Sequence, residues 1–312
     1  MTKLFDLINY PLSYVLRYLS NLFGGNFAAS VLVFTLLANI VLLPLSIKSQ
    51  KSTVQQTRIK PKLDELKKRY GDDKKKLAEA QQKLYQDEGI SMSGGCLPMV
   101  FRLVFMISIY NLINRPLTYL MNIDSKVITA AQKFLDIKTS GTGAELEIIG
   151  RANELTSSKF DAIRNGLKTI DFNLFGIDLT ATPKFSFDFS QAQLIWLIPL
   201  GAFLAQIITS IISMVIQKKN NPDAPSMATM MLTMPLITLF IGFRLPGGVG
   251  FYWICSSLIG GLIQSAIQIL YGPQRMLANE RAKELKKQIE FEAKQIAKSN
   301  DSKNILNGEE IK

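Results

Sequence analysis

Five apolar blocks, each long enough to cross a bilayer, fix what this chain can become. They cover residues 27–47, 97–121, 192–217, 227–243 and 248–271, and the charged residues gather between them. A hydrocarbon core about 30 Å thick is crossed by about 20 helical residues. Within lipid every backbone N–H and C=O must find its partner inside the segment, which leaves a helix as the solution for blocks of this kind. The pattern predicts an all-α fold: a polytopic membrane protein with five transmembrane helices. The fourth block, at 17 residues, is close to the shortest that spans. Only 20% of the 312 residues are charged, but their segregation decides the class more than their number.

The formal net charge of +11 would point to nucleic acid in a soluble protein. Here its distribution gives an orientation instead. Residues 48–83 hold 12 Lys/Arg, the tail from 275 to 312 holds nine, and Lys218 and Lys219 lie between spans three and four. Residues 122–190 balance eight Lys/Arg against nine Asp/Glu. The positive-inside rule then places 48–95, the Lys218 link and the tail in the cytoplasm, with the N-terminus and 122–190 outside. The expected location is a membrane crossed several times, with the N-terminus outside and the C-terminus cytoplasmic.

Histidine is absent, which removes imidazole acid–base catalysis and most zinc sites. No span contains Lys, so an intramembrane Ser–Lys protease lacks its base. The chain is therefore expected to be no enzyme, with no cofactor and no metal. Cys96 and Cys255 have no CxxC partner and read as small apolar residues rather than a disulfide. Residues 1–26 lack a continuous apolar h-region of the kind a cleaved signal carries. Leu4, Leu7, Ile8, Leu12, Val15, Leu16 and Leu19 recur at helical spacing, which predicts an amphipathic helix lying on the outer surface, kinked or interrupted at Pro11.

Between the first two spans, Ile59, Leu63, Leu66 and Tyr70 repeat at i, i+4, i+7 and i+11. Leu77, Ala80 and Leu84 repeat likewise beyond Gly71. Two amphipathic helices joined by a tight turn make a cytoplasmic helical hairpin over 48–95, with Pro61 kinking the first arm or marking its start. The outer segment 122–190 carries no strong pattern. Residues 140–143 read as a loop, 147–167 as one or two short helices, and the aromatic-rich stretch 172–189 as membrane surface. The tail, 272–312, begins helical and frays near 299–302 into a disordered end.

Arg102 is the residue this layout does not absorb. Its guanidinium stays charged and costs roughly 2.5–3.5 kcal/mol at a helix centre, so it marks a functional site by default. No Asp or Glu lies within any span to pair with it. Polar residues share helix faces elsewhere. Span three carries Gln206, Thr209, Ser210, Ser213 and Gln217; span five carries Ser257, Gly261, Gln264 and Gln268; span one carries Thr35, Asn39 and Ser46. Counting from the cytoplasmic ends, Asn39, Arg102 and Gln264 each lie roughly 9–13 Å deep. Together they predict a water-accessible cavity open to the cytoplasm and closed by apolar outer halves. The plainer reading of any single Ser, Thr or Gly here is helix packing.

At these residues the chain resembles the YidC-type membrane protein insertases. The resemblance rests on Leu43-Pro44-Leu45, on Gly94-Gly95-Cys96-Leu97-Pro98, and most specifically on the run from Phe243 to Trp253. It implies a five-helix core with a hydrophilic groove in the cytoplasmic leaflet that takes nascent membrane proteins and releases them laterally into lipid. In that family the groove arginine usually sits in span one, at the position occupied here by Asn39. The chain instead carries Arg102 in span two, so the charge is expected to have moved to the neighbouring helix within the same cavity. The groove residues so implied are Arg102, Asn39, Thr35, Gln206, Ser210, Ser213, Gln264 and Gln268.

Tyr252 and Trp253 are read as substrate contacts or as an interfacial anchor. Lys283, Lys286, Lys287 and Lys294 of the tail are read as ribosome contacts, as the family implies, or as solvated or lipid-facing helix surface. The Sec translocon is a possible further partner, and membrane lipids a necessary one. The rival function is an anion transporter or channel with Arg102 as the anion site. The polar stripes confined to one leaflet, and five spans that do not divide into two halves, weigh against it.

Overall fold

The computed structural model describes residues 2–71, 73–90, 97–139, 143–185, 193–220 and 228–309, without the side chains of 2–5, 57, 97–99, 102, 220, 228–230, 274, 277, 280, 283, 284 and 297–309. The chain runs through α1 (Thr2–Leu22), α2 (Phe27–Arg58), α3 (Lys60–Tyr70), α4 (Lys74–Asp87), α5 (Leu97–Asn114) and α6 (Pro116–Tyr119). Then come α7 (Ser125–Phe134), α8 (Ala144–Gly150), α9 (Asp161–Leu167) and a two-stranded hairpin, β1 (Asn173–Leu174) and β2 (Ile177–Asp178). Helices α10 (Leu197–Asn220), α11 (Ala228–Gly242), α12 (Gly247–Leu270) and α13 (Pro273–Glu309) complete it. Among the described residues three helical stretches are long and apolar enough to cross a membrane: Phe27–Gln56, Leu194–Lys219 and Gly247–Leu270. Leu103–Asn114 and Met231–Gly242 are shorter apolar helices. The molecule is an all-α polytopic membrane protein.

Helix α2 starts where the side chain of Asn26 accepts a hydrogen bond from the Ala29 amide at 2.9 Å, an N-cap that satisfies one orphan donor. Gly25, at φ +89°, is needed there, since a Cβ would stand 2.4 Å from the Thr169 carbonyl oxygen. At 32 residues α2 is about 48 Å long, well beyond a hydrocarbon core. Pro61 marks the beginning of α3 instead of bending it. The α3–α4 turn is held by Asp73, which caps α4 through the Lys76 amide, and Lys62 pairs with Glu88 across the two arms. The striped residues Leu63, Leu66, Tyr70, Leu77, Ala80 and Leu84 are half-buried between the arms, with Ile59 fully buried at the base.

The bundle's core lies toward the ends where α2, α10 and α12 begin. Phe27, Val31 and Phe34 of α2 pack with Ile109, Leu112 and Ile113 of α5, Ile198 of α10, and Val249 and Tyr252 of α12. Phe34 stacks on Phe105 at 5.6 Å, and Trp196 meets Phe243 edge-on at 5.6 Å. Gly250 lets α12 approach α10; a Cβ there would fall 2.5 Å from Cγ2 of Ile198.

Several expectations change. The apolar run 97–121 is not one helix: α5 stops at Asn114, and Arg115–Pro116 opens the separate short α6, as expected where proline disfavours helix in the residue before it. Helix α1 continues through Pro11. It is also more than a surface helix, because Asn9, Ser13, Leu16 and Leu19 are buried against the bundle. Asn9 donates to the Tyr119 hydroxyl (3.2 Å), which donates to Asp6 (2.8 Å). Segment 122–185 has its own core, built from Ile123, Ile128, Leu135, Ile148, Leu155, Phe160 and Ile163 with Leu117. The stretch after Phe172 forms a β-hairpin, and residues 140–142 and 186–190 lie outside the described residues. The tail holds its helix to Glu309, consistent with its Ala, Glu, Lys and Gln content.

Candidate functional site

A groove of about 460 Å³ lies just below the apolar core, on the side of the α3–α4 hairpin. Helix α2 contributes Thr35, Ala38, Asn39 and Leu42, and α5 contributes Leu103, Phe105 and Met106. Thr209, Ser210 and Ser213 come from α10, and Met231 from α11. Tyr252, Trp253, Ser256, Ser257, Gly260, Gly261 and Gln264 come from α12. From Tyr252 to Gln264 the α12 wall runs about 18 Å along the helix axis. The stacked Phe34–Phe105 pair and buried Tyr252 close the end nearest the core. At the other end the Gln264 side-chain amide donates to Oε1 of Gln50 at 3.4 Å, joining α12 to α2.

The polar groups of the wall are held largely by their own helices. Thr35 donates to the Val31 carbonyl at 2.6 Å, Asn39 Nδ2 to the Thr35 carbonyl at 2.8 Å, and Thr209 to the Ala205 carbonyl at 2.9 Å. These bonds satisfy donors that would otherwise be costly in a low-dielectric setting. Asn39 presents its Oδ1 toward α12, 3.3 Å from where a Cβ on Gly260 would sit. Gly261 admits Thr209 in the same way, since a Cβ would fall 2.4 Å from its Cγ2. Two adjacent glycines thus seat the Asn39 and Thr209 side chains against α12.

Ten of the residues singled out from the sequence meet here: Thr35 and Asn39, Thr209, Ser210 and Ser213, Tyr252 and Trp253, and Ser257, Gly261 and Gln264. Gln206 is half-buried on α10 and does not line the groove, and Gln268 is buried one turn past Gln264, off the wall. Arg102 belongs to α5, but its side chain lies outside the described residues, as does that of Lys283. Lys286, Lys287 and Lys294 are exposed along α13. Gln50, Phe105, Met106, Met231 and Ser256 were missed. Gln50 was hidden because the apolar run ends at 47 while the helix does not. Ser256 precedes Ser257 in a helix whose polar face was already identified.

Outside the bundle, buried Glu145 accepts from the Thr118 amide (2.9 Å) and hydroxyl (2.6 Å), tying α8 to α6. Burial raises its carboxyl pKa above 4.5, with the Thr118 bonds opposing the shift. Asp73 and Glu88 shift the other way, lowered by their bonds to Lys76 and Lys62.

Long apolar helices with wide exposed apolar surfaces, meeting around a polar-lined recess, define an integral membrane protein of the helix-bundle class. The chain belongs to the 60Kd inner membrane protein family, whose model matches residues 18–273; these are the YidC-type proteins. It is 26% identical over 255 residues to membrane protein insertase YidC 2 of Listeria innocua, covering 80% of this chain and 67% of that one. It is 24% identical over 304 residues to membrane protein insertase YidC 1 of Listeria monocytogenes, covering 96% and 80%. It is 22% identical over 265 residues to membrane protein insertase YidC of Fusobacterium nucleatum, covering 85% and 96%.

Proposed function

We propose that this chain is a membrane protein insertase whose groove receives the polar tail and leading apolar segment of a nascent membrane protein from the cytoplasm. The observation that carries this reading is the groove's make-up. Apolar walls alternate with neutral hydroxyl and amide groups, and a packed aromatic layer of Phe34, Phe105 and Tyr252 ends it within the bundle. A polypeptide in hydrocarbon pays several kcal/mol for each unpaired backbone group. A recess that hydrates the tail part-way shortens the apolar path, and an apolar segment beside it gains transfer energy on sliding into lipid. The process is transfer, with no covalent step.

The five-span arrangement, with the α3–α4 hairpin and α13 in the cytoplasm, follows from the distribution of Lys and Arg. Arg102 is the groove's charge in this account. Phe105 and Met106, three and four residues further along the same helix, line the groove, and residues at that spacing share a helix face. It would hold an acidic group of the tail in reduced dielectric. The membrane potential then helps an acidic tail outward by about 2.3 kcal/mol per charge per 100 mV. The short α11 favours a locally thin bilayer beside the groove. The α3–α4 hairpin receives substrate from below, and Lys286, Lys287 and Lys294 of α13 meet the ribosome through contacts that weaken with salt.

Photocrosslinkers placed at Asn39, Ser210 and Gln264 are expected to capture a stalled nascent membrane protein, with none captured from Leu204 on the exposed face of α10. Capture at Leu204 alone would overturn the route. Anion flux through liposomes, with insertion unaffected by groove substitutions, would support the transporter reading instead.

A further inference from the structure

The β1–β2 turn carries a residue that neither the local conformation nor packing within the chain explains. Asn173 pairs with Asp178 and Leu174 with Ile177, leaving Phe175 and Gly176 as a two-residue turn with φ of 50° and 86°. Turns with two positive φ values favour Asn, Asp or Gly at the first position, because a Cβ there crowds the neighbouring carbonyl. Phe175 occupies that position and is 96% exposed.

The hairpin's mounting supplies the explanation. At one side the Asp171 amide donates to Gly25 O (2.8 Å) and the Phe27 amide donates to Asp171 O (3.0 Å), so the strand is fastened to the start of α2. At the other side the Gly248 amide donates to Leu179 O (2.7 Å) and the Gly247 amide to Ala181 O (2.8 Å), fastening the hairpin to the start of α12. Phe172 packs on Phe27 with ring centroids 4.9 Å apart. Strand β2 also borders the turn that leads into α10. There Leu194 and Leu197 are exposed at the head of an apolar stripe that continues along α10 through Leu200 and Leu204. Phe175 is four residues from either fastening point, so it lies within about 13 Å of the ends of helices that cross the bilayer.

The charges near the tip are already engaged. The Asp171 carboxylate accepts from the Asn173 amide (2.9 Å), and the Asp178 carboxylate accepts from the Thr180 amide (2.8 Å) and hydroxyl (2.7 Å). The tip proper, Leu174-Phe175-Gly176-Ile177, has no charge.

We infer that Phe175 is a membrane-dipping finger that inserts its ring at the headgroup–acyl boundary, on the face where α2, α10 and α12 begin. Trp and Tyr rings are favoured at that boundary, and Phe and Leu form the apolar face of segments that bury themselves there. The flanking aspartates limit the dip to the tip. Helix α1, which leads into α2 on the same side, exposes Tyr10, Tyr14, Tyr18 and Leu22 in one line and supplies a second contact of the same kind. The inference rests on the membrane embedding of the bundle and not on what the groove carries.

The test uses the full chain in proteoliposomes, with Cys96→Ala and Cys255→Ala, and an environment-sensitive fluorophore on Phe175→Cys. Lipids bearing a nitroxide near the headgroup should quench it several-fold more than the same probe on Lys159→Cys, an exposed position on the separate core of 122–185, and to an extent similar to Leu197→Cys. Its emission should also shift to the blue relative to Lys159→Cys. An unshifted, unquenched probe overturns the inference. So does a blue shift that nitroxide lipids do not quench, or one that grows with protein density or with added substrate, since either means that protein covers the tip. Independently, Phe175→Asn should hold or raise the melting temperature in detergent; a fall would mean the ring packs within the chain.

Discussion

The bundle has two halves made from the same helices. Where α2, α10 and α12 begin, they close on a buried apolar layer of Phe27, Val31, Phe34, Ile198, Val249 and Tyr252. Two to four turns further on they separate around Asn39, Ser210, Ser213 and Gln264, and leave a recess of about 460 Å³. Small residues act in both halves but to different ends. Gly250 brings α12 onto Ile198 in the closed half, whereas Gly260 and Gly261 seat polar side chains in the open one. Apolar packing holds the bundle together at one end, so the other end can stay unfilled. Stability is expected to rest on the first half and the proposed insertion on the second.

Substitutions that separate stability from insertion test that division. Phe34→Ala should destabilise the detergent-solubilised protein by about 3–5 kcal/mol, read as a lower melting temperature, because it removes a ring from a filled layer. Asn39→Ala, on the same helix, should change stability by no more than about 1 kcal/mol. Equal losses at the two positions would break the comparison. On the role proposed for Arg102, Arg102→Gln should lower insertion of substrates with acidic tails about tenfold while leaving the fold intact, the scale of one charge-assisted contact. Adding Asn39→Arg to that background should restore part of the loss in a reconstituted insertion assay.

Segment 122–185 provides a pH handle away from the groove, where Glu145 holds Thr118 of α6. The folded Glu145 carboxyl titrates above its ordinary 4.5 because burial favours the neutral form. A raised pKa means that the folded state binds the proton more tightly. The stabilisation is therefore fully present below 4.5 and is lost as pH rises through the folded value. Hydrogen exchange of α7–α9 should show this loss, and Glu145→Gln should flatten it. The smallest effect is expected at Asp73→Ala, where exchange should quicken only in the first turn of α4, with insertion unchanged.

Much of this was legible in the sequence where a period repeats. The hairpin arms follow from Ile59, Leu63, Leu66 and Tyr70, and the groove walls from polar stripes on three helices. Gln206 and Gln268 show the limit of that reasoning. They share stripes with Ser210 and Gln264, but each lies past the end of its helix's lining, which runs from Thr209 to Ser213 on α10 and stops at Gln264 on α12. The core of 122–185 was not legible because its helices α8 and α9 are too short to display a period. Its burial depends on contacts distant in sequence, such as Glu145 with Thr118. The break at Arg115–Pro116 was available from the proline but was overridden by the length of the apolar run.

Side-specific thiol labelling in a cysteine-free background tests the central claim most directly. A membrane-impermeant reagent applied from the cytoplasmic side should modify Asn39→Cys and Gln264→Cys, and a stalled nascent chain should protect both. Val31→Cys, two turns further toward the core, should stay unmodified from either side. Labelling of Val31→Cys, or of Asn39→Cys from the outer side, would contradict a recess that ends within the bundle.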